Sequence, residues 1–151
     1  MDNQKQGKKY LEAQIKTASK EQLLIMLYDG AIQACQAAEI LMDENKREPA
    51  GEKLMKAQNI VAELISSLHF DKNEEVAKNL AALYGYVYIQ LMEANTKQSK
   101  EQIQNSKKIL EGLRETWIEA FAKVGLNQEA KNKTKSDQKS ETGQGGLSIQ
   151  A

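Results

Sequence analysis

Cysteine, proline and histidine are nearly absent from this chain of 151 residues, which contains one of each. The single cysteine, Cys35, excludes an internal disulfide and a zinc site built on several cysteines, and it fits a reducing compartment. The single proline, Pro49, leaves room for long helices. Strand signals, meaning short alternating runs joined by Asn-Gly or Asp-Gly turns, are missing. We therefore expect an all-α fold.

The chain also has no surplus of charge and no long apolar run. Its 21 basic residues balance 21 acidic ones, which removes the usual argument for nucleic-acid binding. The mean hydropathy is −0.63, and the longest apolar run, Leu80–Ile89, is far below the ~20 residues that span a bilayer. The first residues lack the apolar segment of a secretory signal. We expect a cytosolic protein that neither enters membranes nor binds nucleic acid.

Four segments have the apolar spacing of amphipathic helices, and three of them begin with a capping box, in which side chains satisfy the free N–H groups of the first turn. The three boxes are Ser19 with Gln22, Asp71 with Glu74, and Ser99 with Gln102. Pro49 with Gly51 separates the first helix from the second, and Gly125 is expected to end the fourth in a left-handed conformation.

Apolar residues at alternating spacings of three and four predict which side of each helix faces inward. In the first helix these residues are Leu23, Leu27, Ala31, Ala34, Ala38 and Leu41. In the second they are Leu54, Ala57, Val61, Leu64 and Leu68. In the third they are Val76, Leu80, Leu83, Val87, Leu91 and Ala94. In the fourth they are Ile103, Leu110, Leu113, Trp117, Ala120 and Val124.

Helices of about 20 residues with short connections favour an antiparallel, up-down four-helix bundle. We assign this bundle to residues 19–125. Residues 1–18 are mostly polar and are predicted to form a mobile N-terminal arm. Residues 126–151 are rich in Lys, Ser, Gln and Gly with few apolar side chains, and we expect a disordered tail because they can bury little apolar surface.

Catalytic chemistry has little support in the sequence. His69, the only histidine, falls at a predicted helix end, so a loop or capping role is favoured over the mid-helix position of a phosphotransfer histidine. Ser66 stands three residues before it, which rules out the Glu-x-x-His motif of di-iron bundles. Cys35 is expected to be a small, buried side chain that packs in the core. We therefore expect no enzyme activity, no metal site and no cofactor.

Several apolar residues remain after the inward stripes are assigned. Ile25, Tyr28 and Ile32 share a neighbouring arc of the first helix, and Tyr86, Ile89 and Met92 are displaced from the stripe of the third. They can fill a wide core, or they can form an exposed patch of the kind that marks a partner surface. Tyrosine and methionine suit grooves that receive amphipathic helices. The second interpretation predicts a docking surface at these six residues.

Three further apolar residues lie in the predicted arm: Tyr10, Leu11 and Ile15. Such an arm could occupy the docking surface when no partner is bound. A frayed terminus with incidental apolar side chains is the alternative.

Several segments between Tyr10 and Trp117 follow one another in the order and at the spacing of a known family, and in this the chain resembles the FliS-type flagellin export chaperones of bacterial flagella. The resemblance is carried by Tyr10, Thr17–Ser19, Leu23–Ile32, Lys56–Leu64, Asn79–Leu80, Leu83–Tyr86, Leu91–Asn95 and Leu110–Trp117. At Gly85 the family often has a polar or acidic residue, the loop at His69–Asp71 is not the commonest version, and the tail is longer than expected.

The resemblance implies an antiparallel helical bundle that binds the disordered C-terminal segment of flagellin, one chaperone for each flagellin. Binding would prevent premature polymerisation and aid delivery to the type III export apparatus, so a component of the export gate is a second candidate partner. We expect the flagellin site at Tyr10, Ile25, Tyr28, Ile32, Tyr86, Ile89 and Met92. The alternative is a generic helical adaptor or self-associating bundle using the same apolar face, and the expected state is a monomer or weak homodimer.

Overall fold

The structure, a computed structural model, describes the backbone of residues 2–150 and the side chains of residues 5–125. These residues form five α-helices and no strand. The helices are α1 (Asp2–Thr17), α2 (Lys20–Asp43), α3 (Arg47–Ser66), α4 (Glu74–Lys97) and α5 (Lys100–Gln150). The all-α class predicted from the sequence is confirmed, but the described chain contains one helix more than predicted.

The additional helix is α1, which occupies the segment predicted as an arm. Lys and Gln supply seven of its sixteen residues, and both have helix propensities close to that of alanine. Every described side chain from Lys5 to Thr17 is exposed, including Tyr10 at 73%. The segment is thus helical without burying its apolar side chains, and its predicted mobility stays a prediction.

The helix starts agree with the sequence in one case and differ in two. The capping box at Ser19 is confirmed, with Gln22 N donating to Ser19 Oγ (3.2 Å) and Ser19 N donating to Gln22 Oε1 (2.9 Å). The box at Asp71 is wrong, because the side chain of Asn73 accepts from Val76 N and caps α4 instead. Before α5, Ser99 Oγ accepts from Gln102 N at 3.3 Å, but the Gln102 side chain donates to Glu93 rather than returning to the cap.

Two non-glycine residues with positive φ mark helix ends. Asn45 (φ 59°) follows α2, and Gln98 (φ 52°) caps the C-terminus of α4. The predicted end at Gly125 is wrong, because α5 continues through it and no described glycine has positive φ. Pro49 lies in the first turn of α3, where its missing N–H has no intrahelical partner to lose.

The core is built from the inner faces of α2 to α5. Its members are fully or nearly fully buried apolar side chains. They are Tyr28, Ala31, Ile32, Ala34, Cys35, Ala38, Ala50, Leu54, Ala57, Val61, Leu64, Ala77, Tyr84, Val87, Leu91, Ala94, Ile103 and Leu110. Two predicted inward residues, Val76 and Val124, are instead exposed, at 46% and 54%.

Neighbouring helices are joined by packing and by polar pairs. α2 packs on α3, and α3 packs on α4. The hydroxyls of Tyr28 on α2 and Tyr84 on α4 share a buried hydrogen bond.

The first part of α5 is tied to α2 by three ion pairs along its length. They are Lys100–Asp43 at 2.5 Å, Lys107–Glu39 at 2.9 Å and Arg114–Asp29 at 2.6 Å.

The chain divides into two compact units, Met1–Glu115 and Thr116–Ala151. Within the second unit, the rings of Trp117 and Phe121 stack with centroids 5.6 Å apart. The backbone of α5 is helical to Gln150, where the sequence predicts a disordered tail. The segment contains no proline to stop the helix. The side chains of 126–150 lie outside the described residues, so the division into arm, bundle and tail stays a prediction.

Candidate functional site

α4 carries apolar side chains on two opposite faces. Its inner face contributes Tyr84, Val87 and Leu91 to the core. The other side, which we call the α4 outer face, consists of Ala82, Gly85, Tyr86, Ile89 and Met92. Tyr86, Ile89 and Met92 are 49%, 49% and 47% exposed. A helix that packs on one side only is expected to be polar on the other, so this face is not explained by the core.

Ion pairs bound the α4 outer face at both ends. Lys78 contacts Glu74 at 2.9 Å before it, and Lys97 contacts Glu93 at 3.4 Å after it. Gln102 Nε2 also donates to Glu93 at 2.8 Å. This hydrogen bond, together with Lys97, lowers the pKa of Glu93. Charged side chains therefore flank the α4 outer face at both ends along the helix.

The structure places the predicted site residues in three settings. Tyr86, Ile89 and Met92 lie together on the α4 outer face. Tyr10 is exposed on α1, and Ile25 is half-buried on α2. The predicted exposure of the remaining two is wrong, because Tyr28 is fully buried and Ile32 is only 8% exposed.

The error at Tyr28 and Ile32 has a physical reason. α2 packs on α3, reaches α4 through Tyr28 and pairs with α5 through Asp29. A helix with three neighbours buries a wide arc of its circumference, whereas a three-four stripe identifies only one line along it. The six-residue docking surface therefore reduces to the residues of α4, with Ile25 at a partly covered position on α2.

Ala82 and Gly85 also belong to the α4 outer face, although the apolar pattern of the sequence does not predict them. Alanine carries too little area to stand out as surplus apolarity. Gly85 does carry a signal, since glycine in a helix interior costs about 1 kcal/mol relative to alanine and so marks an unusual position.

Groups capable of catalysis are poorly placed for it. Burial, followed by the negative charge of Glu39, raises the pKa of Cys35 from 9.0 to about 12, which keeps the thiol protonated and weakly nucleophilic. His69 lies in the loop between α3 and α4 and is exposed. Among the described side chains, no three His, Cys, Asp or Glu residues converge into a possible metal site. Nor does any helix of the described part have the length and apolarity to cross a bilayer.

Known proteins resemble this chain over most of its length. The chain is 30% identical over 120 residues to the flagellar secretion chaperone FliS of Escherichia coli K12, covering 79% of this chain and 88% of that protein. It is 31% identical over 119 residues to the FliS chaperone of Salmonella typhimurium LT2, covering 78% and 88%. The FliS chaperone of Bacillus subtilis 168 is 30% identical over 112 residues, with 74% and 83% covered.

A solved structure shares the fold. The crystal structure of a bacterial flagellar chaperone superposes on this chain with a TM-score of 0.66 and 21% sequence identity. The superposition covers 80% of this chain and 98% of the chaperone chain. The family model for the flagellar protein FliS matches residues 2–124. Because this match spans most of the chain and its relatives are named flagellar secretion chaperones, the chain belongs to the FliS family.

Proposed function

We propose that this protein is a cytosolic flagellar export chaperone that binds the disordered C-terminal segment of flagellin on the α4 outer face. Binding prevents premature polymerisation and aids delivery to the type III export apparatus, where a gate component is a further partner. The observation that carries the proposal is the exposure of Tyr86, Ile89 and Met92 on a helix whose opposite side already fills the core.

An exposed apolar strip suits a guest that must be held and later released. An amphipathic segment buries its own apolar face on the strip, gaining about 25 cal/mol for each Å² removed from water. A disordered guest loses conformational entropy when it orders, so its affinity stays moderate for the area buried. The proposed function therefore requires an exposed apolar surface and no catalytic group. The protonated thiol of Cys35 and the loop position of His69 agree with this.

We also propose that α2–α5 form an antiparallel four-helix bundle. The ion pairs between α2 and α5 support this arrangement, because rising residue numbers on α5 meet falling numbers on α2. Lys100 pairs with Asp43, and Arg114 pairs with Asp29. Short connections after α2 and α4 favour the same topology.

The α1 segment is proposed as an exchangeable cover for the docking surface. Tyr10, Leu11 and Ile15 are exposed on it at 73%, 49% and 45%, so they have apolar area available for reversible docking. Release of the cover would free the face for the guest, and Tyr10 would then contribute to the site through exchange.

Calorimetry with monomeric flagellin tests the proposed function. Full-length flagellin should bind with one-to-one stoichiometry and a negative heat-capacity change, which marks apolar burial. Flagellin that lacks its C-terminal segment should give no binding heat. Equal binding by the two forms, or binding by neither, contradicts the proposal.

The alternative is a self-associating helical adaptor, favoured by the same exposed face. It predicts a mass in analytical ultracentrifugation that rises with concentration, together with no selective capture of flagellin. A monomeric mass combined with selective capture rejects it.

A further inference from the structure

Gly85 lies in the interior of α4, where glycine weakens a helix because it has the largest backbone entropy to lose. Its φ is not positive, since no described glycine has a positive φ. No turn or helix end therefore requires glycine here. A β-carbon built at Gly85 would meet nothing within 4 Å.

Two other helical glycines show the contrast. A β-carbon at Gly30 would lie 3.2 Å from Ile60 Cδ1, and one at Gly51 would lie 3.1 Å from Asn95 Oδ1. Both distances are tight, so close packing between helices explains these two residues. The packing within this chain gives no such reason for Gly85.

The surroundings of Gly85 supply a different reason. It lies on the α4 outer face, with Tyr86 beside it, Ile89 one turn further along and Met92 nearly two turns along. These three side chains are about half exposed, and Gly85 contributes no side chain between them, an arrangement that we call the saddle. A missing side chain allows another backbone to approach closely at that point.

We propose that Gly85 is the crossing point at which a helical guest lies against α4, backbone close to backbone, with its own small residue (Gly, Ala or Ser) over Gly85. This rests on the proposed function and names the shape of guest that the site takes. Tyr86, Ile89 and Met92 pack around the crossing and receive the apolar side chains that flank the guest's small residue.

The length of the face sets the length of the guest. Ala82 to Met92 spans about 15 Å at the rise of an α-helix, and charged pairs at Lys78 and Glu93 bound it. The occupant is therefore an amphipathic helix of about three turns, which forms on binding from an otherwise disordered segment.

Filling the saddle tests this proposal. Gly85→Ala and Gly85→Leu are compared with Gly112→Ala and Gly112→Leu, because Gly112, which is exposed where Gly85 is half-buried, is likewise a helical glycine with no atom within 4 Å of an added β-carbon. All four should fold with unchanged circular dichroism and an equal or higher melting temperature, since each replaces glycine with a better helix former. The ligand is monomeric flagellin, titrated by calorimetry.

We expect Gly85→Leu to raise the Kd about tenfold or more, Gly85→Ala to raise it less, and both Gly112 variants to keep the wild-type Kd. A wild-type Kd for Gly85→Leu, or an equal loss in the Gly112 variants, overturns the crossing point while leaving the proposed function standing. Failure of the wild-type protein to bind flagellin overturns both. The same series of titrations therefore distinguishes failure of the crossing point from failure of the proposed function.

Discussion

At the scale of single residues, Cys35 illustrates how burial lowers the reactivity of a side chain. The side chain is fully buried on α2, as its place beside an apolar stripe predicts. Burial penalises the thiolate, with Glu39 adding to the effect and Lys107 opposing it, and together these raise the pKa of the thiol to about 12. A reactive cysteine needs an electropositive and partly exposed setting, and this one has neither.

The thiol of Cys35 should resist alkylation in the folded protein. Iodoacetamide at pH 8 should leave the native mass unchanged and add one carbamidomethyl group after unfolding in guanidinium. Modification of native and unfolded protein at the same rate would contradict the buried, protonated thiol.

The raised pKa also has a consequence for stability. The unfolded thiol ionises near 9.0 and the folded thiol near 12, so the unfolded state loses its proton first. The contribution of Cys35 to the free energy of unfolding is therefore full below pH 9 and declines as the pH rises towards 12. Cys35→Ala should remove this part of the alkaline decline, measured by urea unfolding across that range.

Residue-level patterns predicted the core of α3 well and the site only in part. Leu54, Ala57, Val61 and Leu64 follow a clean three-four spacing, and all are fully buried. Tyr28 and Ile32 were misassigned because hydropathy records apolar character, not the number of neighbours a helix has. Tyr86, Ile89 and Met92 have the same character and are exposed, so only the structure separates the two sets.

At the scale of helices, capping chemistry located the start of α2, since the box at Ser19 is local to four residues. The start of α4 was harder to place. Asp71 and Glu74 have the spacing of a box, but Asn73 lies closer to the first turn and provides an equivalent acceptor. Competition between neighbouring caps is settled by backbone geometry, which the spacing of residue types does not contain.

The α1 helix could not be predicted from its apolar pattern because none of its described side chains, Lys5 to Thr17, is buried. Its length and its composition of strong helix formers are what favour it. An exposed helix of this kind is marginal by itself in water, which suits a segment that exchanges between free and docked states.

Deletion of residues 1–15 tests α1 as a cover. If the segment occupies the docking surface for part of the time, the apparent Kd for flagellin is the intrinsic Kd divided by the competent fraction. The deletion should therefore lower the apparent Kd or raise the association rate, measured by stopped-flow fluorescence or calorimetry. The deletion leaves Ser19 in place, so that the cap of α2 is preserved. Unchanged affinity and association rate would contradict the proposal that α1 covers the docking surface.

At the scale of the whole molecule, α4 is divided into two faces with different surroundings. It packs on α3 and reaches α2 through Tyr84, with Val87 and Leu91 buried, while Tyr86, Ile89 and Met92 on its outer face are about half exposed. Ion pairs at Glu74 and Glu93 confine the outer face to about three turns. We therefore expect substitutions on the outer face to change flagellin binding while the fold is kept.

The measurement that tests this division most directly is flagellin binding by Ile89→Asp, with Ile40→Asp as the matched control. Both residues are exposed isoleucines on long helices, at 49% and 58%, and neither substitution removes a core side chain. We expect Ile89→Asp to raise the Kd for flagellin about tenfold or more, since it removes the apolar area that Ile89 would bury on binding and places a charge in the contact. The control should bind as the wild type does, and both variants should keep the wild-type circular dichroism. A wild-type Kd for Ile89→Asp would contradict the account.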